Sequence, residues 1–172
     1  YASAVDNNKM LGGREFPAGI KLTDLDFLNP KSKLWHYGYA LYSAGQFTDA
    51  RPKACCVTNR DRSKTTVLGD SGGFQIGKGT LKGTEHFKKA KTPDEVCEMW
   101  RGSKDVRQRI VKWLDAHSDF AMTIDMPLWA RDPANSKTPF HKCTIEQLIE
   151  LSVENLSLAV EFVRSLRGEP CF

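Results

Sequence analysis

The chain lacks any run of eighteen consecutive apolar residues, so no helical membrane span is expected. Its start carries no basic stretch followed by an apolar core and a small-residue cleavage site, so a secretory signal is not expected either. It begins at Tyr1 rather than Met, and the natural N-terminus is expected to lie upstream. Cysteine is sparse and odd in number: Cys55, Cys56, Cys97, Cys143 and Cys171. An odd count in a chain of this size argues against a disulfide framework. The absence of C-x-x-C or C-x-C spacing argues against a tetrahedral zinc site in this stretch. A reducing, cytoplasmic setting is the simplest expectation. Histidine is equally scarce, and His36, His86, His117 and His141 show no paired ligand spacing, so they read as structural or surface residues. Internal repeats and low-complexity tracts are also missing.

What remains is an ordinary globular composition, 40% hydrophobic and 27% charged, in 172 residues that fit one domain spanning 1–172. Charge is unevenly placed. Residues 1–50 carry five basic and five acidic residues, and residues 51–112 carry fifteen against seven, a net of +8. Residues 113–172 carry five against nine, a net of −4. The basic middle block could face a polyanion such as nucleic acid, or could be a solvated surface.

Hydrophobic patterning alternates between periods. The first 30 residues, with Gly12, Gly13, Pro17 and Pro30, read as loop-rich, and the aromatic stretch 34–41 could be a short helix or strand. Residues 65–68 read as a short buried strand, which places Asp70 just past its end. Thr92, Pro93 and Glu95 form a helix start with a capping box, followed by Val96, Met99 and Trp100 on one face. A second helix starts near Ser103 with a stripe of Val106, Ile110, Trp113 and Leu114, in which the tryptophans read as core rather than as base-stacking platforms. Residues 120–124 read as a strand ending at Asp125. A long helix follows from Thr144, capped by Gln147, with Ile145, Leu148, Ile149, Leu156, Ala159, Val160 and Val163 as its expected buried face. Gly168 and Pro170 end it, and a new strand could start at Cys171 and Phe172. Strands alternating with helices predict an α/β fold with a parallel sheet. Two carboxylates at the C-terminal ends of two strands mark the edge where such folds place active sites.

The stretch Gly69-Asp70-Ser71-Gly72-Gly73-Phe74-Gln75 is the most informative. Its glycines let backbone amides approach a ligand, and Asp70 beside them could act as a base, although a structural turn with a capping Asp gives the same letters. Lys78 and Lys82 follow as candidate phosphate contacts. Gly-Asp-Ser-Gly-Gly also matches the nucleophile loop of trypsin-like serine proteases, with Ser71 as nucleophile. Phe74 in place of Pro, a single preceding histidine and the helical second half argue against a serine hydrolase.

Asp70-Ser71-Gly72-Gly73-Phe74-Gln75 resembles the Asp-Ser-Gly-Gly-Phe-Gln signature of the tRNA-guanine transglycosylase family. Ser118-Asp119-Phe120-Ala121-Met122-Thr123-Ile124-Asp125 is similar to that family's Ala-Asp-Ile-x-Met-x-Phe-Asp strand, in the same order. The resemblance covers residues 65–172; residues 1–64 do not align. It implies a (β/α)8 TIM barrel, incomplete here because such a barrel takes ~250 residues, so this stretch is expected to be a fragment inactive alone. It implies a pentosyltransferase that exchanges guanine in a nucleic acid for a 7-deazaguanine, as in queuosine formation, through a covalent glycosyl-enzyme. In that role Asp70 transfers protons and contacts the base, and the backbone of Ser71, Gly72 and Gly73 lines the pocket with Phe74 and Gln75. Asp125 accepts N–H bonds from the base edge. The resemblance implies no cofactor in this stretch; the family's nucleophilic Asp and zinc site lie later in the chain. Met126-Pro127 in place of Glu-Cys, and Gly69 in place of Thr, mark a divergent branch. The expected partners are tRNA by default, or DNA, together with the guanine or 7-deazaguanine base and a second copy in a homodimer. The alternative is a non-catalytic nucleic-acid-binding relative or subunit of such an enzyme.

Overall fold

The computed structural model describes residues 19–20, 24–46 and 56–167. It is a mixed α/β fold around one parallel sheet. Strand β1 (Tyr39–Ser43) pairs with β2 (Thr66–Asp70), and β2 pairs with β3 (Phe120–Ala121), in the order β1-β2-β3. Helix α1 (Gly73–Lys78) follows β2 directly. Helices α2 (Pro93–Gly102) and α3 (Lys104–His117) then lead to β3, and α4 (Ile145–Arg167) closes the described chain. None of these helices is long and apolar enough to cross a membrane. The expected strand at Cys171 and Phe172, the glycine and proline stop after α4, and most of the expected loop-rich first 30 residues lie outside the described residues.

The helix starts follow the sequence closely. Thr92 Oγ1 accepts the Glu95 N–H at 3.2 Å, and the Glu95 carboxylate reaches back to the Lys91 N–H at 2.6 Å. At α4 the box is reciprocal: Thr144 Oγ1 accepts from Gln147 N at 3.1 Å, and Gln147 Oε1 accepts from Thr144 N at 2.9 Å. Each such cap is worth about 1 kcal/mol. The α3 stripe of Val106, Ile110, Trp113 and Leu114 is buried as expected. Trp100 meets Phe87 and Phe140 edge-on, all three ring centroids 6.2 Å apart, and this trio fills the core between α2 and α4.

One open reading is resolved and two expectations are corrected. Of helix or strand for the 34–41 stretch, its last residues take the strand, in β1, which runs on to Ser43. Strand β2 extends to Asp70 itself, whereas β3 stops at Ala121, well before Ile124. The ladder between β2 and β3 ends at the pair Gly69–Ala121, one residue short of Asp70, and the Met122 N–H still donates to the Gly69 carbonyl at 2.8 Å. The second correction concerns α4. Leu148, Leu151 and Asn155 are fully buried, but Ile145, Ile149, Leu156 and Val160 are exposed. At 100° per residue those four and Val153 occupy one ~80° arc, turned away from the arc that meets α2 and α3. The apolar arc of α4 is wider than the surface it covers.

Among the described residues, helices cover one side of the sheet. On its other face Tyr39, Leu68 and Phe120, neighbours in register across the three strands or one step apart, are all exposed. Parallel sheets are ordinarily covered on both faces. No side chain fits at Gly69 on the covered face, because a Cβ there would lie 2.5 Å from Leu114 Cδ2 and 2.8 Å from Ser118. That absence lets α3 pack directly on β2.

At the N-terminal edge of the sheet, Asp119 is the hub. Its carboxylate accepts from Val67 N at 2.8 Å and pairs with Arg60 at 2.8 Å and Arg62 at 3.0 Å. The same arginines donate to the carbonyls of Ala116, His117 and Ser118, so they also cap the C-terminus of α3, where cations are favoured.

Candidate functional site

The site lies at the opposite, C-terminal edge. Asp70 is the last residue of β2, half-buried, and its register partner on β1 is Ser43. Two glycines bring these strand ends together. Gly72 takes φ 90°, and a Cβ on it would fall 2.6 Å from the Gly45 Cα, so the turns after β1 and β2 touch backbone to backbone. Residue Gly73 then opens α1.

Asp125 is brought to the same edge by the chain after β3. Ser71 is fully buried, and its Oγ donates to Asp125 Oδ1 at 3.3 Å. Both Asp125 carboxylate oxygens lie over Gly73, where a Cβ would sit 3.5 and 3.7 Å from them. Helix α4 fixes the residues on either side. The buried Asn155 donates from Nδ2 to the Ile124 carbonyl at 3.0 Å, and Ser152 Oγ accepts from the Met126 N–H at 2.9 Å. Asn155 Oδ1 in turn accepts from Trp100 Nε1 at 3.0 Å, which ties this support to the core. The segment around Asp125 is therefore held without a strand ladder.

Phe74 is 61% exposed on α1 and faces Trp129, ring centroids 5.6 Å apart. Lys78 sits over both rings, 5.9 Å from Phe74 and 5.3 Å from Trp129, and donates to Asn135 Oδ1 at 2.9 Å. The lysine that the sequence offers as a phosphate contact is thus already partnered within the protein. Gln75 packs its side-chain carbonyl against Gly45 and Gly72, and this Oε1 is buried without a hydrogen-bond partner.

The structure thus places Asp70, Ser71, Gly72, Gly73 and Asp125 at one sheet edge, with Phe74 and Gln75 on the helix that follows. It departs from the sequence reading at Ser71, which was expected to contribute through its backbone: its hydroxyl orients Asp125. Asp125 itself stands four residues past the end of its strand, not at it. Ser71 is hydrogen-bonded to a carboxylate, and no histidine among the described residues partners it, which is not the arrangement of an activated serine nucleophile. Sequence reasoning passed over Ser43, Gly45, Ser152 and Asn155, all of which act through contacts distant in sequence. Asn155 and Ser152, polar residues amid the apolar positions of α4, carried a visible signal.

The basic block divides by residue type. Among the described residues, four of its arginines are partnered within the protein: Arg60 and Arg62 by Asp119, Arg101 by Glu98 and Glu154, and Arg107 by the Arg101 carbonyl and Asn155. Lys88, Lys89, Lys91, Lys104 and Lys112 remain exposed. A separate groove of about 560 Å³ runs between α3 and α4 past Met122, but neither Asp70 nor Asp125 lines it.

Comparison with family models, curated proteins and solved structures returns no match for this chain.

Proposed function

We propose that this chain carries the base-binding half of a base-exchange glycosyltransferase of the tRNA-guanine transglycosylase type, acting on guanine in tRNA, or in DNA as the alternative substrate. The observation that carries the reading is the pairing at one sheet edge: Asp125 is held by the Ser71 hydroxyl over the Gly72–Gly73 turn, beside the strand that ends in Asp70. A carboxylate aimed over a bare glycine turn can accept two parallel N–H bonds from a flat, guanine-like edge. Asp70, at the strand end, is placed for proton transfer to such a base. Exposed Phe74 offers a ring face beside them. The attack on the ribose carbon belongs to a further carboxylate, which this reading places later in the protein.

The sequential order β1-β2-β3 with one covered face supports a barrel-type sheet. In a doubly wound sheet the strand order reverses and helices cover both faces. Among the described residues no group of three or more His, Cys, Asp or Glu is placed to hold a metal ion; this reading places the family's zinc later in the protein.

The test is guanine binding by the chain, measured by calorimetry, alongside Asp125→Asn. The amide presents one donor where the base offers donors, so affinity should fall by about 1–3 kcal/mol, roughly 5- to 150-fold. Guanine binding that survives Asp125→Asn unchanged, or no binding by the wild-type chain, overturns the reading.

A further inference from the structure

We propose that the Ser43 hydroxyl is a further ligand contact of this site, donating to an acceptor atom of the base that Asp125 and Asp70 engage; the inference rests on that reading. Ser43 closes β1 and is in register with Asp70 across a parallel pair, so the two side chains emerge on the same face of the sheet at its C-terminal edge. It is only 5% exposed, and its Oγ has no hydrogen-bond partner in the protein. Buried hydroxyls are nearly always paired, because an unpaired one forfeits its hydration with nothing in return.

A second unpaired atom lies in the same place. Gln75 Oε1 is buried against Gly45 and Gly72, the two glycines that join the ends of β1 and β2. Ser43 Oγ and Gln75 Oε1 thus both belong to residues around one strand edge, next to Asp70. The chemistry of the set is complementary. Carboxylate oxygens and the glutamine carbonyl offer acceptors, whereas a serine hydroxyl can donate. A guanine edge presents N–H donors beside ring and carbonyl acceptors. Two carboxylates alone leave those acceptors unserved, and Ser43 supplies the missing donor one strand away from Asp70. Ser43 would then add selectivity for a base that carries donor and acceptor on one edge.

The experiment uses the chain with guanine as the probe, reading affinity by calorimetry and the melting temperature without ligand. Ser43→Ala should weaken guanine binding about 3- to 10-fold, the span of one lost hydrogen bond, while the ligand-free melting temperature stays equal or rises because an unpaired hydroxyl is gone. Ser43→Cys, of similar size with a weak S–H donor, should lose affinity to the same extent, and it decides the matter if Ser43→Ala fails to fold. Wild-type binding matched by both variants overturns the role of Ser43 and leaves the Asp125 pocket standing. A lower melting temperature with unchanged affinity makes Ser43 a packing residue and also overturns it. Absence of guanine binding by the wild-type chain removes the base-pocket reading, and this inference with it.

Discussion

Replacing Asp119 with asparagine tests whether the sheet edge opposite the site is held by charge. Asp119 pairs with Arg60, whose side chain is 1% exposed, and with Arg62, which is half in solvent, while also accepting the Val67 N–H. Removing one partner of a buried pair costs about 3–5 kcal/mol. Two features place the expected loss at the lower end. The Asp119 side chain is itself 23% exposed, and Arg60 keeps neutral acceptors at Thr65 and the His117 carbonyl. A loss of about 3 kcal/mol in a domain of this size lowers the melting temperature by roughly 6–12 °C. Thermal unfolding followed by circular dichroism at pH 7 measures it. The pH dependence supplies an independent check. Burial opposes ionisation of Asp119, but the Val67 N–H and the Arg60 and Arg62 guanidiniums together hold its carboxyl below the ordinary range. A carboxyl lowered on folding contributes stability that is fully present above its unfolded value of about 3.9 and is lost as pH falls through the folded value. The wild type and Asp119→Asn should therefore differ at pH 7 and converge as the pH falls through the lowered folded value. A difference under 2 °C at pH 7, or one that persists undiminished in acid, refutes the account.

Asn155→Leu should cost about 3 kcal/mol in denaturant unfolding, because the Trp100 N–H and the Ile124 carbonyl lose their buried partner; a loss below 1 kcal/mol would show that α4 does not hold this segment. Ser71→Ala should weaken guanine binding about 5-fold by freeing the Asp125 carboxylate, without lowering the melting temperature by more than a few degrees; unchanged affinity would return Ser71 to a backbone role. Burial first, then the adjacent Cys97 thiol, pushes the Cys143 thiol up to about 12, so site-resolved mass spectrometry should find Cys143 unalkylated in the native chain at pH 8 and labelled after unfolding. Rapid native labelling at Cys143 would contradict that burial.

What the sequence shows plainly is local. Thr92 and Thr144 announce their helices because a cap needs only a partner three residues on, and the α3 stripe is legible because its period is that of the helix. Asp70 and Asp125 stand out because each follows an apolar run, although the run before Asp125 is not a strand along its length. Two other features were illegible for the same physical reason. The face of α4 that packs on the core depends on which neighbours surround it, so a helix apolar over a wide arc does not say which part of the arc is covered. The role of Asp119 was hidden inside the strand motif, since its partners Arg60 and Arg62 stand more than fifty residues away.

That division bears on how the site is built. Among the described residues the backbone that carries Asp125 pairs with no strand, yet a ligand-reading carboxylate must be held in place to be selective. The support comes from α4: Asn155 and Ser152 grip the residues before and after it, and Asn155 is anchored in turn by Trp100. On the other side, the Ser71 hydroxyl fixes the carboxylate itself. Asp70 needs no such apparatus, because it ends a strand and pairs in register with Ser43 of β1, one residue past the last pair with β3. The two carboxylates therefore answer to different perturbations. Loosening α4 should move Asp125 and spare Asp70, so Asn155→Leu should impair recognition of the base edge more than any step that depends on Asp70. A variant in which both functions fall together would mean that the sheet, not α4, sets the position of Asp125.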